Sequence, residues 1–110
     1  MKKLRFLGDS RKQLRLFPEK VRKDVGYQLE RVQRGEEPED AKFLVGVGPG
    51  VQEIRSWDES GTYRVVYVAR FAEAIYVLHA FQKKSEATQK RELDLVRQRV
   101  EQLRGIRERF

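Results

Sequence analysis

Three strand-like segments joined by very short links constrain the fold of this chain most strongly. They run from Val51 to Asp58, from Thr62 to Arg70 and from Ala74 to Gln82, and β-branched and aromatic residues recur in all three. The links are "DESG" and a turn near Phe71 to Glu73, and neither is long enough to carry a crossover helix. The segments therefore predict three consecutive strands of an antiparallel meander.

The residues on either side of this meander have helical periodicity. Pro18 is expected to divide the preceding stretch into a short and a longer helix, and Gly35 to end the second one. The last helix is expected from about Glu86, with Ser85 or Thr88 as its N-cap. The apolar positions that recur every three or four residues are Leu14, Phe17, Val21, Val25, Leu29 and Val32 before the meander, and Leu93, Val96, Val100 and Leu103 after it.

A short initial strand from Lys2 to Leu7 completes the order β-α-α-β-β-β-α. This order predicts an α+β fold in which the N-terminal strand and a helical hairpin pack on a twisted antiparallel sheet. With 110 residues, of which 39% are hydrophobic, residues 1–110 are expected to form a single domain.

Composition excludes several kinds of site. The chain has no cysteine and one histidine, so a disulfide framework, a thiolate metal site and a multi-histidine site are excluded. No export signal or membrane-length apolar run is recognisable, so a cytoplasmic protein is expected. The 24 Lys and Arg against 17 Asp and Glu give a formal charge of +7, which favours polyanionic partners.

A glycine cluster, "VGVGPG", precedes the meander and superficially suggests a phosphate-binding loop. No GK[ST] follows it, and the next segment is a strand, so no helix N-terminus faces the loop. A close-packed turn is the better interpretation, with Phe43 to Val45 as a possible short extended piece.

Alternation along the first strand of the meander places Glu53, Arg55 and Trp57 on one face. If "DESG" is the hairpin loop, Arg55 lies opposite Arg64 and Trp57 opposite Thr62. Two opposed arginines repel each other unless a carboxylate or an anion lies between them. Glu53 is the internal candidate, and a phosphate held by the planar guanidinium groups is the external one.

Read together, two long stretches resemble a known toxin family. They are "GVGPGVQEIRSWDESGTYRVVYV" and "IYVLHAFQKKSEATQKRELDLVRQRVEQL". The chain is similar here to the toxins of type II toxin–antitoxin systems in the RelE/ParE superfamily, specifically the HigB-like, phage-derived branch. That branch has a Gly-rich loop, an "ELR" strand end, a "YRV" strand and an "LLHGF-KK" strand end before a "T-P-x-x-E" helix start. The resemblance spans about Leu44 to Leu103, with "EIR" in place of "ELR" and Gln89 in place of the usual proline.

The resemblance implies an endoribonuclease that cleaves mRNA, usually in the ribosomal A site. It also implies a cognate antitoxin, expected to be a helix-turn-helix DNA-binding protein. No metal or other cofactor is expected, because Lys and Arg can supply the required charge and proton transfer. The candidate catalytic residues are Arg64, Lys83, Lys84, Arg55 and Glu53, and the candidate RNA-binding residues are Trp57, Arg70 and Gln82.

Strand parity leaves open which of Lys83 and Lys84 enters the site, since strand ends often twist or bulge. His79 alternates with Val77 and Phe81, and we expect it to be a partly buried, hydrogen-bonded residue near the core rather than the catalytic base.

Two functions of other classes compete with the nuclease. One is a ParE-like inhibitor of DNA gyrase that uses the same fold and cleaves nothing, although the "HAFQKK" strand end argues against it. The other is a non-catalytic module that binds nucleic acid in the same basic groove, with a steep salt dependence.

Overall fold

The predicted meander forms the centre of a five-stranded sheet in the computed structural model, which describes residues 1–84 and 89–108. The spatial order of the strands is β1-β5-β4-β3-β2. Their bounds are β1 (Lys3–Phe6), β2 (Ala41–Phe43), β3 (Val51–Asp58), β4 (Gly61–Val68) and β5 (Ala74–Lys83). The α+β class predicted from the sequence is confirmed.

The sheet is mixed rather than wholly antiparallel. Strand β1 pairs in parallel with β5, from Lys3 opposite Ala74 to Phe6 opposite Val77. The expected extended piece near Phe43 is present as β2, which pairs antiparallel with β3 but lies slightly earlier in the chain than predicted. Both β1, which was predicted, and β2 are edge strands of only three or four residues.

Helices α1 (Ser10–Arg15) and α2 (Glu19–Gln33) cover one face of the sheet. Pro18 lies between them at the N-cap of α2, where its missing N–H costs no helical hydrogen bond. Val21, Val25 and Leu29 of α2 are buried against the sheet. Their partners in this core are Ile54, Tyr63, Val65, Tyr67, Ile75 and Val77.

Helix α3 (Lys90–Glu108) covers part of the opposite face, so helices flank the sheet on both sides. Val96 and Leu103 of α3 are buried with Val51, Val66 and Leu78 of the sheet. The predicted N-cap residues, Ser85 and Thr88, lie outside the described residues. No helix in the described ranges is long and apolar enough to cross a membrane.

Arg99 holds α3 to the rest of the fold. Its Nη1 donates to the carbonyl of Leu78 at 2.7 Å, and its Nη2 donates to Asp9 Oδ1 at 2.6 Å. Gly8 makes room for this guanidinium, because its φ is +54° and a Cβ there would lie 2.7 Å from the Arg99 side chain. One buried arginine therefore connects α3, β5 and the β1–α1 turn.

Replacing Arg99 by Ala should lower the free energy of unfolding by about 2–4 kcal/mol, because a buried carbonyl loses its donor and Asp9 loses its cation. The hydrogen bond from Arg99 lowers the pKa of Asp9 below its ordinary 3.8. The Asp9 contribution is therefore present above pH 3.8 and lost as pH falls through the lowered pKa. Urea denaturation against pH measures both effects.

The matched control for Arg99 is Arg104→Ala on the same helix. The Arg104 side chain is 57% exposed and makes a surface ion pair with Glu101, so its loss should cost less than about 1 kcal/mol. Equal losses for the two variants would show that Arg99 does not anchor α3.

Candidate functional site

The hairpin of β3 and β4 has the predicted register. Arg55 lies opposite Arg64 and Trp57 lies opposite Thr62. Both arginines therefore project from the same face of the sheet, the face that α3 covers only in part. Two carboxylates, one for each arginine, offset the repulsion between the guanidinium groups.

Arg64 is paired with Glu53 in the interior of the protein. Its Nη1 donates to Glu53 Oε1 at 2.5 Å, and the two side chains are only 7% and 0% exposed. Glu53 Oε2 and Arg64 Nε are also buried and have no hydrogen-bond partner among the described residues. Such a pair is stable only when both charges remain, so each residue fixes the position of the other.

Arg55 has a different environment. Its Nε and Nη2 both donate to Asp40 Oδ1, at 2.9 and 2.7 Å, and its side chain is 43% exposed. Asp40 belongs to the segment between α2 and β2, and its carbonyl also accepts from the Arg55 backbone N–H at 3.0 Å. Arg55 is therefore held at the surface, where its guanidinium remains accessible to an anion.

The two candidate lysines are placed differently. Lys83 is the last residue of β5 and pairs with Thr62, so it shares a face with Arg64 and lies diagonally across from it. Partial burial and the positive charge of Arg64 lower the pKa of Lys83; Lys42 and Arg55 act in the same direction and Glu53 opposes them. Lys84 follows the strand end and is exposed. The structure thus brings Lys83, but not Lys84, into the cluster around Arg64.

Lys42 is a member of this cluster that the sequence analysis missed. It lies in β2 directly opposite Glu53, and the register places both on the same face. No sequence motif identifies Lys42, because β2 has only three residues. Its pairing with β3 depends on how the chain returns to the sheet after α2. We use the name cation groove for the surface formed by Lys42, Arg55, Arg64 and Lys83 around Glu53.

His79 is buried and hydrogen-bonded, as expected, but the predicted sharing of a face with Val77 is wrong. Between the pairs Val66–His79 and Tyr67–Val77 the register shifts by one residue, so Leu78 is an extra residue in β5. His79 therefore faces α3. Its Nε2 is hydrogen-bonded to Glu92, and its ring stacks on Phe81 with centroids 4.9 Å apart.

Of the three candidate RNA-binding residues, Trp57 lies next to the cation groove and is 59% exposed. Gln82 lies opposite Tyr63 on the other face of the sheet and donates to the carbonyl of Ser60 at 3.0 Å. Arg70 lies beyond the far end of β4, with its guanidinium 4.4 Å from the centroid of the Phe71 ring. The structure therefore does not bring Gln82 or Arg70 to the groove.

The sheet, its flanking helices and the groove define the RelE-like class of fold. The E. coli toxin RelE, solved in the free state as a double arginine-to-alanine mutant, superposes on the chain with a TM-score of 0.63. The alignment covers 93% of this chain and 97% of that one, at 19% sequence identity. No curated protein sequence matches the chain.

The family follows from the sequence match. The model of the phage-derived Gp49-like proteins matches residues 12–101, which include β2 to β5 and most of the three helices. The chain belongs to this Gp49-like family, which is a RelE-like toxin family. The resemblance to the RelE/ParE superfamily is thereby confirmed.

Replacing Glu53 by Gln should destabilise the protein strongly, by about 3 kcal/mol or more, because the buried Arg64 guanidinium loses its counter-charge. Asp40→Asn removes the equivalent carboxylate from the exposed Arg55 and should cost less than about 1 kcal/mol. Urea denaturation of the two variants beside wild type measures the difference. Similar small losses would mean that the Glu53–Arg64 pair does not organise the groove.

Proposed function

We propose that this chain is the toxin of a type II toxin–antitoxin system and an endoribonuclease of the HigB-like kind, which cleaves mRNA in the cytoplasm and so stops translation and growth. Its partners in this proposal are mRNA on the ribosome and a cognate antitoxin with a helix-turn-helix DNA-binding domain. Membership of the Gp49-like family and the RelE-like fold support the toxin role. The observation that carries the nuclease is Arg64, fixed by the buried Glu53 inside a groove of cations.

RNA cleavage by the neighbouring 2′-hydroxyl requires three things. The 2′-oxygen must lose its proton, the additional negative charge on the phosphorus oxygens must be stabilised, and the 5′-oxygen must leave in line. The 2′-oxygen then forms a new bond to phosphorus while the bond to the 5′-oxygen breaks. The products are a 2′,3′-cyclic phosphate and a 5′-hydroxyl, the latter after the leaving oxygen takes a proton from water.

The groove offers candidates for the first two of these requirements. Arg64 is rigid and Arg55 is accessible, so the two together provide guanidinium donors for the charge that develops on the phosphate. Lys83 is the proposed general base, because its lowered pKa increases the neutral fraction available to accept the 2′-hydroxyl proton. Glu53 positions Arg64, and Lys42 adds positive charge for the RNA backbone.

Arg64→Ala should abolish growth inhibition and message cleavage. The measurement is inducible expression of wild type and variant, with growth curves and mapped RNA 5′ ends. Arg15→Ala is the matched control, since Arg15 is an exposed arginine at the end of α1 on the other side of the sheet. Circular dichroism of each purified protein verifies folding, and Lys83→Ala repeats the test without disturbing the buried pair.

Two results would contradict the nuclease proposal, and a third would contradict the role of the cation groove in it. Growth arrest with no new 5′ ends but with altered DNA supercoiling would favour the gyrase inhibitor. Equal growth of all strains with intact messages would leave only the non-catalytic binding module. Cleavage by the Arg64→Ala protein equal to that of wild type would remove the groove from the reaction.

Lys83→Ala should reduce the cleavage rate of purified protein by about a hundredfold, whereas Lys84→Ala should change it less than about threefold. The rate of wild type should rise with pH up to the lowered pKa of Lys83 and then level off. Lys83→Arg keeps a charge at every accessible pH, so it should lose this rise. Cleavage of a labelled message between about pH 6 and 10 measures all four proteins; a larger loss for Lys84→Ala than for Lys83→Ala would reverse the assignment.

A further inference from the structure

A cleft of about 360 Å³ lies beside the cation groove, between α2 and the outer edge of β3. Trp57 and Asp40 form part of its wall, together with Lys20 and Glu39. Arg55 lines it as well and thereby borders both the cleft and the groove. Its volume lies within the range of small-ligand sites, roughly 300–1,000 Å³.

Trp57 is the most unusual residue of this cleft. A tryptophan that is 59% exposed on a rigid strand leaves a large aromatic surface in water. It is the only tryptophan of the chain. An indole held by a strand next to a cationic groove is a stacking surface for an RNA base, because every base has a π-face.

The backbone of Trp57 adds hydrogen-bonding groups to the same place. The carbonyl of Val51 accepts from Leu44 and the N–H of Arg55 donates to Asp40, so alternate residues of β3 direct their backbone groups toward β2. Trp57 is next in this alternation. The ladder of β2 extends only to Ala41 opposite Ile54, so no strand formed by the described residues covers the N–H and C=O of Trp57 on this side.

The charge of the cleft selects which part of RNA can enter it. Glu39 and Asp40 place carboxylates at its wall, and these repel phosphates but accept hydrogen bonds from base N–H groups. Asp40 uses Oδ1 for Arg55 and has no partner for its other oxygen among the described residues. Guanine is the base that presents two adjacent N–H donor groups, N1–H and N2–H₂, to such acceptors.

We propose that this cleft binds a guanine base next to the phosphate that is cleaved, with the base stacked on Trp57 and its N–H groups directed to Asp40 and Glu39. The inference rests on the proposed RNA-cleaving function and adds a base preference to it. Arg55 would bind the phosphate where the cleft meets the cation groove. The base would then lie in the cleft and the RNA backbone in the groove.

The test uses the full-length wild-type protein and short 2′-O-methyl RNAs, which lack the attacking hydroxyl and stay intact. One RNA contains guanine among uracils and the other contains uracil only. Total binding is measured by anisotropy of a dye on the RNA, and stacking by quenching of Trp57 fluorescence. We expect guanine RNA to bind about tenfold more tightly and to quench Trp57, because uracil stacks less strongly and offers only one N–H donor to the two carboxylates.

Trp57→Ala should reduce the affinity for guanine RNA to that for uracil RNA. Tyr27→Ala, which removes another exposed aromatic, should not change either affinity, since Tyr27 lies on α2 outside the cleft. Asp40→Asn should reduce the guanine preference while leaving the stacking signal.

Binding of both RNAs with equal affinity, or with unchanged Trp57 fluorescence, would overturn the guanine site and leave the nuclease proposal standing. Failure of both RNAs to bind by anisotropy would overturn the guanine site together with the proposal that the cation groove binds RNA. These two results are distinguishable because anisotropy reports binding anywhere on the protein, whereas the fluorescence reports contacts made at Trp57.

Discussion

Two arginines face each other across β3 and β4, and the site depends on how their repulsion is offset. Glu53, two residues before Arg55 on the same face, forms an ion pair with Arg64 in the interior. Asp40 forms an ion pair with Arg55 at the surface. The two pairs differ in exposure and therefore in effect. The buried pair fixes one guanidinium rigidly, and the exposed pair leaves the other free to bind an anion.

The bulge in β5 decides which side chains of that strand reach the site. Because Leu78 is an extra residue, His79 and Lys83 both face the side on which Arg64 lies, whereas Val77 faces the core below α1 and α2. His79 is bound by Glu92 of α3, and Arg99 donates to Leu78 in the bulge itself. The hydrogen bonds that hold α3 thus include the His79 side chain, whereas Lys83 lies in the cation groove.

The main elements of the fold were predictable because their signals are local. The meander followed from strand-like segments and short links, the helices from three- and four-residue spacing, and the Arg55–Arg64 pairing from placing the hairpin turn at "DESG". The RelE-like resemblance came from several short motifs read together, and the family match, over residues 12–101, includes nearly all of that stretch and the helices before it.

The remaining features depend on contacts between distant segments. Lys42 and Asp40 reach the site because β2 returns from α2 to pair with β3, and a three-residue strand has no periodicity. The position of His79 depended on a bulge that alternation cannot reveal. Arg70 and Gln82 were grouped with the site by sequence proximity to its motifs, but strand direction and parity place them elsewhere.

The chemistry of the RNA ends tests the central claim most directly. If the cation groove cleaves RNA by activating the neighbouring 2′-hydroxyl, messages recovered after induction should carry new 5′-hydroxyl ends, and the upstream fragments should end in 2′,3′-cyclic phosphates. Ligation that is selective for 5′-hydroxyl RNA, followed by sequencing, measures this. New ends that carry 5′-phosphates, or no new ends during growth arrest, would contradict the account.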